Sequence, residues 1–293
     1  MVEVMVLCTQ LQRLDLADND LSGQGLAAAL ELSHTLTDLN LSGNHLGESG
    51  ARALAAVLPE SLRVLDVGCN GLHDSGLDVL VQGLARCPQL SQLKMARNSV
   101  SPDGVWLLAA GLAGCLQLTG LDMQLNRVGK AGAARLAKIL PEMAELASLD
   151  LSNNVIGSAG AATLAAALPL CPALQTLRLQ RNDIGLHGAA ALAEALPACV
   201  ALSDLDLCGN QVGTEGAGRL AQVLEECRML ERLDLSDNNI GNEGAGKLVG
   251  AVVEGKAMRL REVLLSGNRV GAAGLQRLRA ALEHCTTHVA LPW

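Results

Sequence analysis

An asparagine recurs along this chain at near-constant spacing, and the residues around it recur with it. The ten are Asn19, Asn44, Asn70, Asn98, Asn126, Asn154, Asn182, Asn210, Asn238 and Asn268, separated by 25, 26, then 28 six times, then 30 residues. Each sits in the pattern L-x-x-L-x-L-x-x-N-x-[LIV], followed by a glycine-marked stretch rich in Ala and Leu. A unit of that length cannot bury its apolar side alone, so successive copies must stack and share one continuous core. The pattern therefore specifies a solenoid, an architecture that offers extended surfaces more readily than enclosed active sites.

One copy shows how the unit folds. Leu149, Asp150 and Leu151 alternate apolar and polar, as a short half-buried strand does. Asn154 follows where the chain must turn away, and its amide can pair with turn backbone groups that would otherwise be buried unsatisfied. Residues 158–168 are strong helix formers with Leu164 and Leu168 on one face, and Pro169 is a stop signal. Strands lie ~4.8 Å apart and helices ~8–10 Å, so an array of such units curves by about 20° per repeat. The expectation is an open α/β horseshoe of about ten 28-residue strand-helix repeats, with a parallel sheet on the concave face.

Glycine marks two further columns. Gly25, Gly50, Gly76, Gly104, Gly132, Gly160, Gly188, Gly216, Gly244 and Gly274 each lie six residues after the asparagine. Glycine near a helix start weakens the helix, so its recurrence implies a close approach to another element. A second glycine, three residues after the asparagine, is replaced by Ser22, His73 or Ser101 in three units and is expected to serve the turn into the helix.

Composition narrows the chemistry. There is no Phe or Tyr and only two Trp in 293 residues, so the core must be Leu, Ala, Val and Cys. A net charge of −8 argues against nucleic acid, which needs a basic stripe. No apolar run reaches the ~20 residues of a membrane span, and the first residues lack the form of a signal peptide. Cys87, Cys115, Cys171, Cys199 and Cys227 all stand three residues before the first strand leucine, Cys8 and Cys285 hold the same place, and Met143 substitutes for it. That ladder reads as a small buried apolar position with reduced thiols, which places the protein in the cytoplasm or nucleus.

The unit L-x-x-L-x-L-x-x-N-x-[LIV]-G-x-x-G-A-x-x-L-A-x-x-L resembles the ribonuclease-inhibitor-like class of leucine-rich repeats across essentially the whole chain. Similar arrays form the C-terminal sensor region of NOD-like receptors and the body of Ran GTPase-activating proteins. The resemblance implies the fold and a role in binding other proteins. It carries over no functional residue, because the spacing here is nearly uniform and the aromatic anchors of an inhibitor are absent. The expected organisation is a single domain, 1–293, with residues 1–10 as the remnant of a preceding repeat. Residues 286–293 would form a C-terminal cap, with Trp293 over the open core.

Candidate contact residues lie between the buried leucines. The middle strand column holds Asp15, Asn40, Asp66, Lys94, Asp122, Asp150, Arg178, Asp206, Asp234 and Leu264. With the flanking positions, repeats eight to ten present Asp204, Asp206, Asp234, Asp237 and Glu262 against Arg232, an acidic patch suited to a basic protein partner. Lys94 with Arg97, and Arg178 with Arg181, form two basic spots expected ~14 Å apart, three strands at ~4.8 Å each. Trp106 falls on the outer helix surface and is a possible anchor.

Several motif lookalikes dissolve into the repeat. Gly241 to Leu248 mimics a phosphate loop but lacks its Ser or Thr, and Gly213 to Arg219 repeats the same spacing. His284, Cys285 and His288 lack a fourth metal ligand, Asn40-Leu41-Ser42 places a glycosylation sequon on a strand, and no G-x-S-x-G occurs. The reading is a non-enzymatic, monomeric interaction scaffold or sensor array that needs no cofactor and no metal. The alternatives are a GTPase-activating regulator resembling Ran GTPase-activating protein, or an inhibitor of a basic enzyme.

Overall fold

The structure is a computed structural model that describes residues 10–22, 30, 35–112, 114–254, 259–282 and 288–290. The positions assigned above to a preceding repeat (1–9), and Gly25, Cys8, His284, Cys285, Leu291, Pro292 and Trp293, lie outside the described residues, as does the side chain of His288. The chain divides into two compact units, Met1–Val128 with Met143–Leu149, and Gly129–Glu142 with Asp150–Trp293.

The first unit holds strands β1 (Arg13–Asp15), β2 (Asp38–Asn40), β3 (Val64–Asp66), β4 (Gln92–Lys94) and β5 (Gly120–Asp122). They pair in parallel, in chain order, with the central leucines in register, as Leu39 with Leu65. Helices α1 (Gly47–Val57), α2 (His73–Leu84) and α3 (Pro102–Leu112) form the crossovers. Strand β6 (Ser148–Asp150) is divided between the units; in the first, the Ala147 N–H donates to the Thr119 carbonyl at 2.8 Å. The second unit holds β7 (Thr176–Arg178), β8 (Asp204–Asp206), β9 (Arg232–Asp234), β10 (Glu262–Leu264) and β11 (His288–Ala290), again parallel and in chain order. Its helices are α4 (Gly129–Ile139), α5 (Gly157–Ala167), α6 (Gly185–Ala195), α7 (Gly213–Val223), α8 (Asn242–Val253) and α9 (Ala272–Leu282).

In both units the strands from β2 to β10 bury their central residue against the helices and leave their outer residues on the open face, whereas Leu14 of β1 and Val289 of β11 are half-buried. Leu39, Leu65, Leu93, Leu205 and Leu233 are sealed there, and Leu54, Leu80, Leu108, Leu192, Leu220 and Leu248 meet them from the helices. Each such leucine stabilises by ~1.5–3 kcal/mol relative to an exposed one, which is how a core without Phe or Tyr holds. The expected helix at 158–168 begins one residue earlier and ends at Ala167. Leu168–Leu170 then makes a tighter 3-10 turn, because Pro169 has no N–H to continue the α pattern. Leu140–Glu142 and Leu196–Ala198 do the same around Pro141 and Pro197.

The asparagines work between repeats as well as within them. Asn98 donates from Nδ2 to the Val67 carbonyl of the preceding repeat at 2.8 Å and to Met95 and Ala96 of its own at 3.2 and 3.3 Å. Its Oδ1 accepts from the N–H groups of Asn70 and Leu72 at 3.1 and 3.2 Å. Asn98, Asn154, Asn182, Asn210 and Asn238 are fully buried, whereas Asn19 is exposed and Asn268 half-buried. Helices α1, α2, α5, α6 and α7 begin without a side-chain cap of their own. Their first N–H instead reaches the backbone carbonyl of the next repeat's asparagine, as Gly157 to Asn182 at 2.8 Å. That arrangement satisfies an orphan donor that a lone unit would leave unpaired.

The glycine six residues on has the steric reason expected of it. A Cβ at Gly244 would stand 2.9 Å from the Thr214 carbonyl oxygen and 3.0 Å from its Cα, so the close neighbour is the first turn of the preceding helix.

The residue before each repeat asparagine carries a positive φ in all ten repeats, including bulky Leu125 (57°) and Arg97 (55°). The residue after it does so in several, and at Val155 this falls on a β-branched side chain with φ 53° and 68% exposure. A left-handed conformation costs an L-residue ~1–2 kcal/mol, part of which glycine returns through its freer unfolded chain. Val155→Gly is therefore expected to raise stability by about 0.5–1 kcal/mol in urea unfolding. A lower midpoint would show that the exposed valine makes a contact worth more than the strain.

Candidate functional site

The acidic residues of repeats eight to ten do come together, on the open face of the second unit, around one arginine. Arg232 on β9 donates from Nη1 to Asp204 on β8 at 3.1 Å, from Nη2 to Asp234 at 3.1 Å, and from Nε to Glu262 on β10 at 2.8 Å. Parallel register sets this up, because Asp204, Arg232 and Glu262 are direct cross-strand partners. Alternating sign removes the repulsion that three like charges in a row would bring. Burial works against the guanidinium's charge, but the hydrogen bond and charge of Asp204, with Asp234 and Glu262, outweigh it and raise its pKa.

The five carboxylates are not equivalent. Asp206 and Asp234 are only 3% and 8% exposed, which corrects the expectation that the whole patch faces outward. Each accepts a backbone N–H two residues on, from Cys208 at 3.0 Å and Ser236 at 2.9 Å. Asp15, Asn40, Asp66, Asp122 and Asp150 make the same bond to Ala17, Ser42, Gly68, Gln124 and Ser152. The Asp column thus recurs because a short acceptor ties off the end of each strand. Burial is the main influence raising the Asp206 pKa and Asp234 adds to it, while the hydrogen bonds from Cys208 and Gln180 pull the other way. Gln180, which donates directly to Asp206, was not singled out by the sequence. Asp204 and Glu262 are half-buried, and Asp237, in its left-handed turn, is exposed.

The two basic spots also differ. Lys94 and Arg97 are exposed in the first unit, on β4 and in the turn after it. Arg178 stands 3.9 Å from Asp204, so it adjoins the acidic cluster rather than forming a separate spot, while Arg181 is exposed in its own turn. Trp106 is 62% exposed on α3. The first unit has a smaller cluster, with Arg13 3.7 Å from Asp38 and Asp66 beside Lys94.

Every described cysteine is free. Cys87, Cys115 and Cys171 are buried, but Cys199 and Cys227 are half-buried, and Cys199 lines a surface cleft. Even so, burial pushes the thiols of Cys87 and Cys199 up to about 11 and Cys227 up to about 12. The thiolate is the reacting species, so all five ladder cysteines are expected to alkylate at least ~10-fold more slowly than exposed Cys69 at neutral pH. Site-resolved mass spectrometry checks this; labelling of Cys199 at the rate of Cys69 would contradict it.

Among the described residues, no group of three or more His, Cys, Asp or Glu is arranged to hold a metal ion, and no helix is long and apolar enough to cross a membrane.

The sequence matches the family described as Leucine Rich repeat over residues 7–28, 32–55, 59–81, 146–165, 171–193 and 226–249. The fold is similar to that of the leucine-rich repeat-containing protein LegL7 from Legionella pneumophila, at 21% identity and a TM-score of 0.60, covering 96% of this chain and 91% of that one. It is also similar to a chain in the octameric complex of Latrophilin 3, Unc5D and the leucine-rich-repeat part of FLRT2, at 18% identity and a TM-score of 0.58, covering 96% and 83%. Six segments of the sequence thus match leucine-rich repeats, and the strand-helix units have the leucine-rich-repeat fold.

Proposed function

We propose that this protein is a non-enzymatic interaction module whose second unit binds a basic protein partner on its open sheet face. The observation that carries the reading is the Arg232-centred row, with Asp204, Glu262 and Asp237 keeping accessible carboxylate edges beside it. Two arginines, Arg232 and the adjoining Arg178, against five acids still leave the cluster net negative, and a pinned row needs no rearrangement to meet an incoming cation. The resemblance of the 28-residue unit to ribonuclease-inhibitor-like repeats supports a binding role. So does the FLRT2 repeat region, which is named as part of a protein complex.

Asp206 and Asp234 are poor residues for testing this, since changing them removes turn hydrogen bonds. Asp237 is exposed, and the one hydrogen bond described for its carboxylate is a weak 3.9 Å approach from the Cys208 thiol. With a partner isolated from displayed protein fragments, Asp237→Lys is expected to slow association about 10-fold at low salt, with the difference fading at high salt. Asp15→Lys in the first unit should change the rate less than about 2-fold. Equal effects of the two, or association indifferent to salt, would remove the acidic face from the account.

A further inference from the structure

One place on the open face of the second unit breaks the repeat's own rule. The middle strand column is Asp, Asn, Lys or Arg in its first nine positions and Leu264 in the tenth. Strand β10 buries Val263 and turns Leu264 outward with Glu262, and Leu264 there is half-buried. Its cross-strand partners are Asp234 on β9 and Ala290 on β11, and Ala290 is half-buried too. An apolar pair thus ends a column of charges, and covering it removes apolar surface from water.

Carboxylates flank this pair along the strand direction. Glu262 stands two residues before Leu264 and on the same face. Gly267 lies three residues after it, and a Cβ at Gly267 would collide with the Asp237 carboxylate, so Asp237 leans over the turn of repeat ten. The cations nearby do not cancel these acids. Arg232 is already shared by Asp204, Asp234 and Glu262, and Arg261 stands 3.8 Å from Glu231. Arg269 is exposed in the turn beyond Gly267. Asp234, Asp237 and Glu262 against Arg232 and Arg269 leave the surroundings of Leu264 net negative, and repeat ten reads acid, apolar, acid along its length.

We propose that repeat ten takes an extended segment of the basic partner in which an aliphatic residue lies between two basic ones, each two residues away. This rests on the reading of the acidic face as a contact for a basic protein, and it names the basic sequence that the face selects. Side chains of an extended segment alternate with the same period as those of β10. The aliphatic group therefore meets Leu264 and Ala290 while the flanking cations reach Glu262 and Asp237. The long stem of an arginine or lysine spans the extra residue on the Asp237 side.

The test titrates the full chain, with leucine methyl groups labelled for NMR, at low salt with three peptides of equal charge. They are acetyl-Arg-Ser-Leu-Ser-Arg-amide, the same peptide with Ser in place of Leu, and acetyl-Arg-Arg-Leu-Ser-Ser-amide, in which the period is broken. The first has the same side-chain order in either chain direction. It is expected to shift the Leu264 methyl resonances saturably, and the serine peptide should bind about 5-fold more weakly. The rearranged peptide should bind about 3-fold more weakly. Leu264→Asn, the residue type that Asn40 supplies in the same column, should weaken the first peptide about 5-fold and leave the serine peptide within about 2-fold. The peptide comparison on the unaltered chain decides the matter even where the variant does not fold. The proposal is overturned if the first peptide does not bind saturably, if all three bind alike, or if Leu264→Asn weakens the first and the serine peptide equally. In the last two cases, weaker binding by Asp237→Lys would still leave the acidic face as a contact, so the two readings fail separately.

Discussion

Replacing Asn182 by Ala is expected to cost about 3–5 kcal/mol of stability, among the largest effects of any single substitution in this chain. The side chain is fully buried. Its Nδ2 donates to the carbonyls of Leu151 at 2.8 Å, Leu179 at 3.1 Å and Gln180 at 3.2 Å. Its Oδ1 accepts from Asn154 N–H at 2.8 Å and Ile156 N–H at 3.3 Å. Alanine removes the acceptor of the Asn154 and Ile156 N–H groups where water does not reach, at ~1–3 kcal/mol each, while the three carbonyls keep a weaker satisfaction from Asn154 Nδ2, Asn210 Nδ2 and the Asn153 N–H. Some turn donors and acceptors will relax, which keeps the total below the sum. Asn19 provides the contrast. It is exposed, its amide makes one described bond, to the Ala17 carbonyl at 2.7 Å, and its loss should cost less than about 1 kcal/mol. Urea unfolding of both variants checks the pair; comparable losses would mean that the ladder acts through turn propensity rather than through bonds between repeats.

Arg232→Met is expected to cost about 2–3 kcal/mol. Met keeps most of the aliphatic stem, so the change isolates the charge and its donors. Three carboxylates lose their shared counter-ion at once, one of them on Asp234, which is only 8% exposed. Removing one partner of a buried pair typically costs ~3–5 kcal/mol, and the lower figure here reflects a guanidinium that is about a third exposed. A double-mutant cycle with Asp234→Asn should return a coupling of about 1–2 kcal/mol. Coupling near zero would mean that the arginine is held by packing alone and that the row is not pinned electrostatically.

Much of this architecture was legible in the sequence because the repeat asparagine and its leucines leave few alternatives. Leu149 and Leu151 around Asp150 gave the strand, and the buried role of Asn154 followed from where it stands. What was not legible depends on backbone conformation rather than on residue type. The left-handed residue before each asparagine is Asp, Gly, Cys, Arg, Leu or Asn, so composition hides a conformation that recurs ten times. The Asp column reads in the sequence as a row of contact residues, yet its oxygens tie off strand ends. The nearby N–H that each one accepts belongs to residues as different as Ala17 and Cys208, which gives no side-chain signal. For the candidate site, the sequence located the charges, and register brought them together. It did not separate buried Asp206, which ends strand β8, from exposed Asp237, which sits in the left-handed turn after β9.

The claim that the second unit's open face meets a basic partner is tested most directly by carboxyl footprinting, comparing modification of each acidic side chain in the free protein and in the complex. The account expects Asp237, Asp204 and Glu262 to be protected at least ~3-fold on binding, while Asp15 and Asp38 in the first unit are unchanged. Protection confined to Asp15 and Asp38, or absent from Asp237, Asp204 and Glu262 alike, would contradict it.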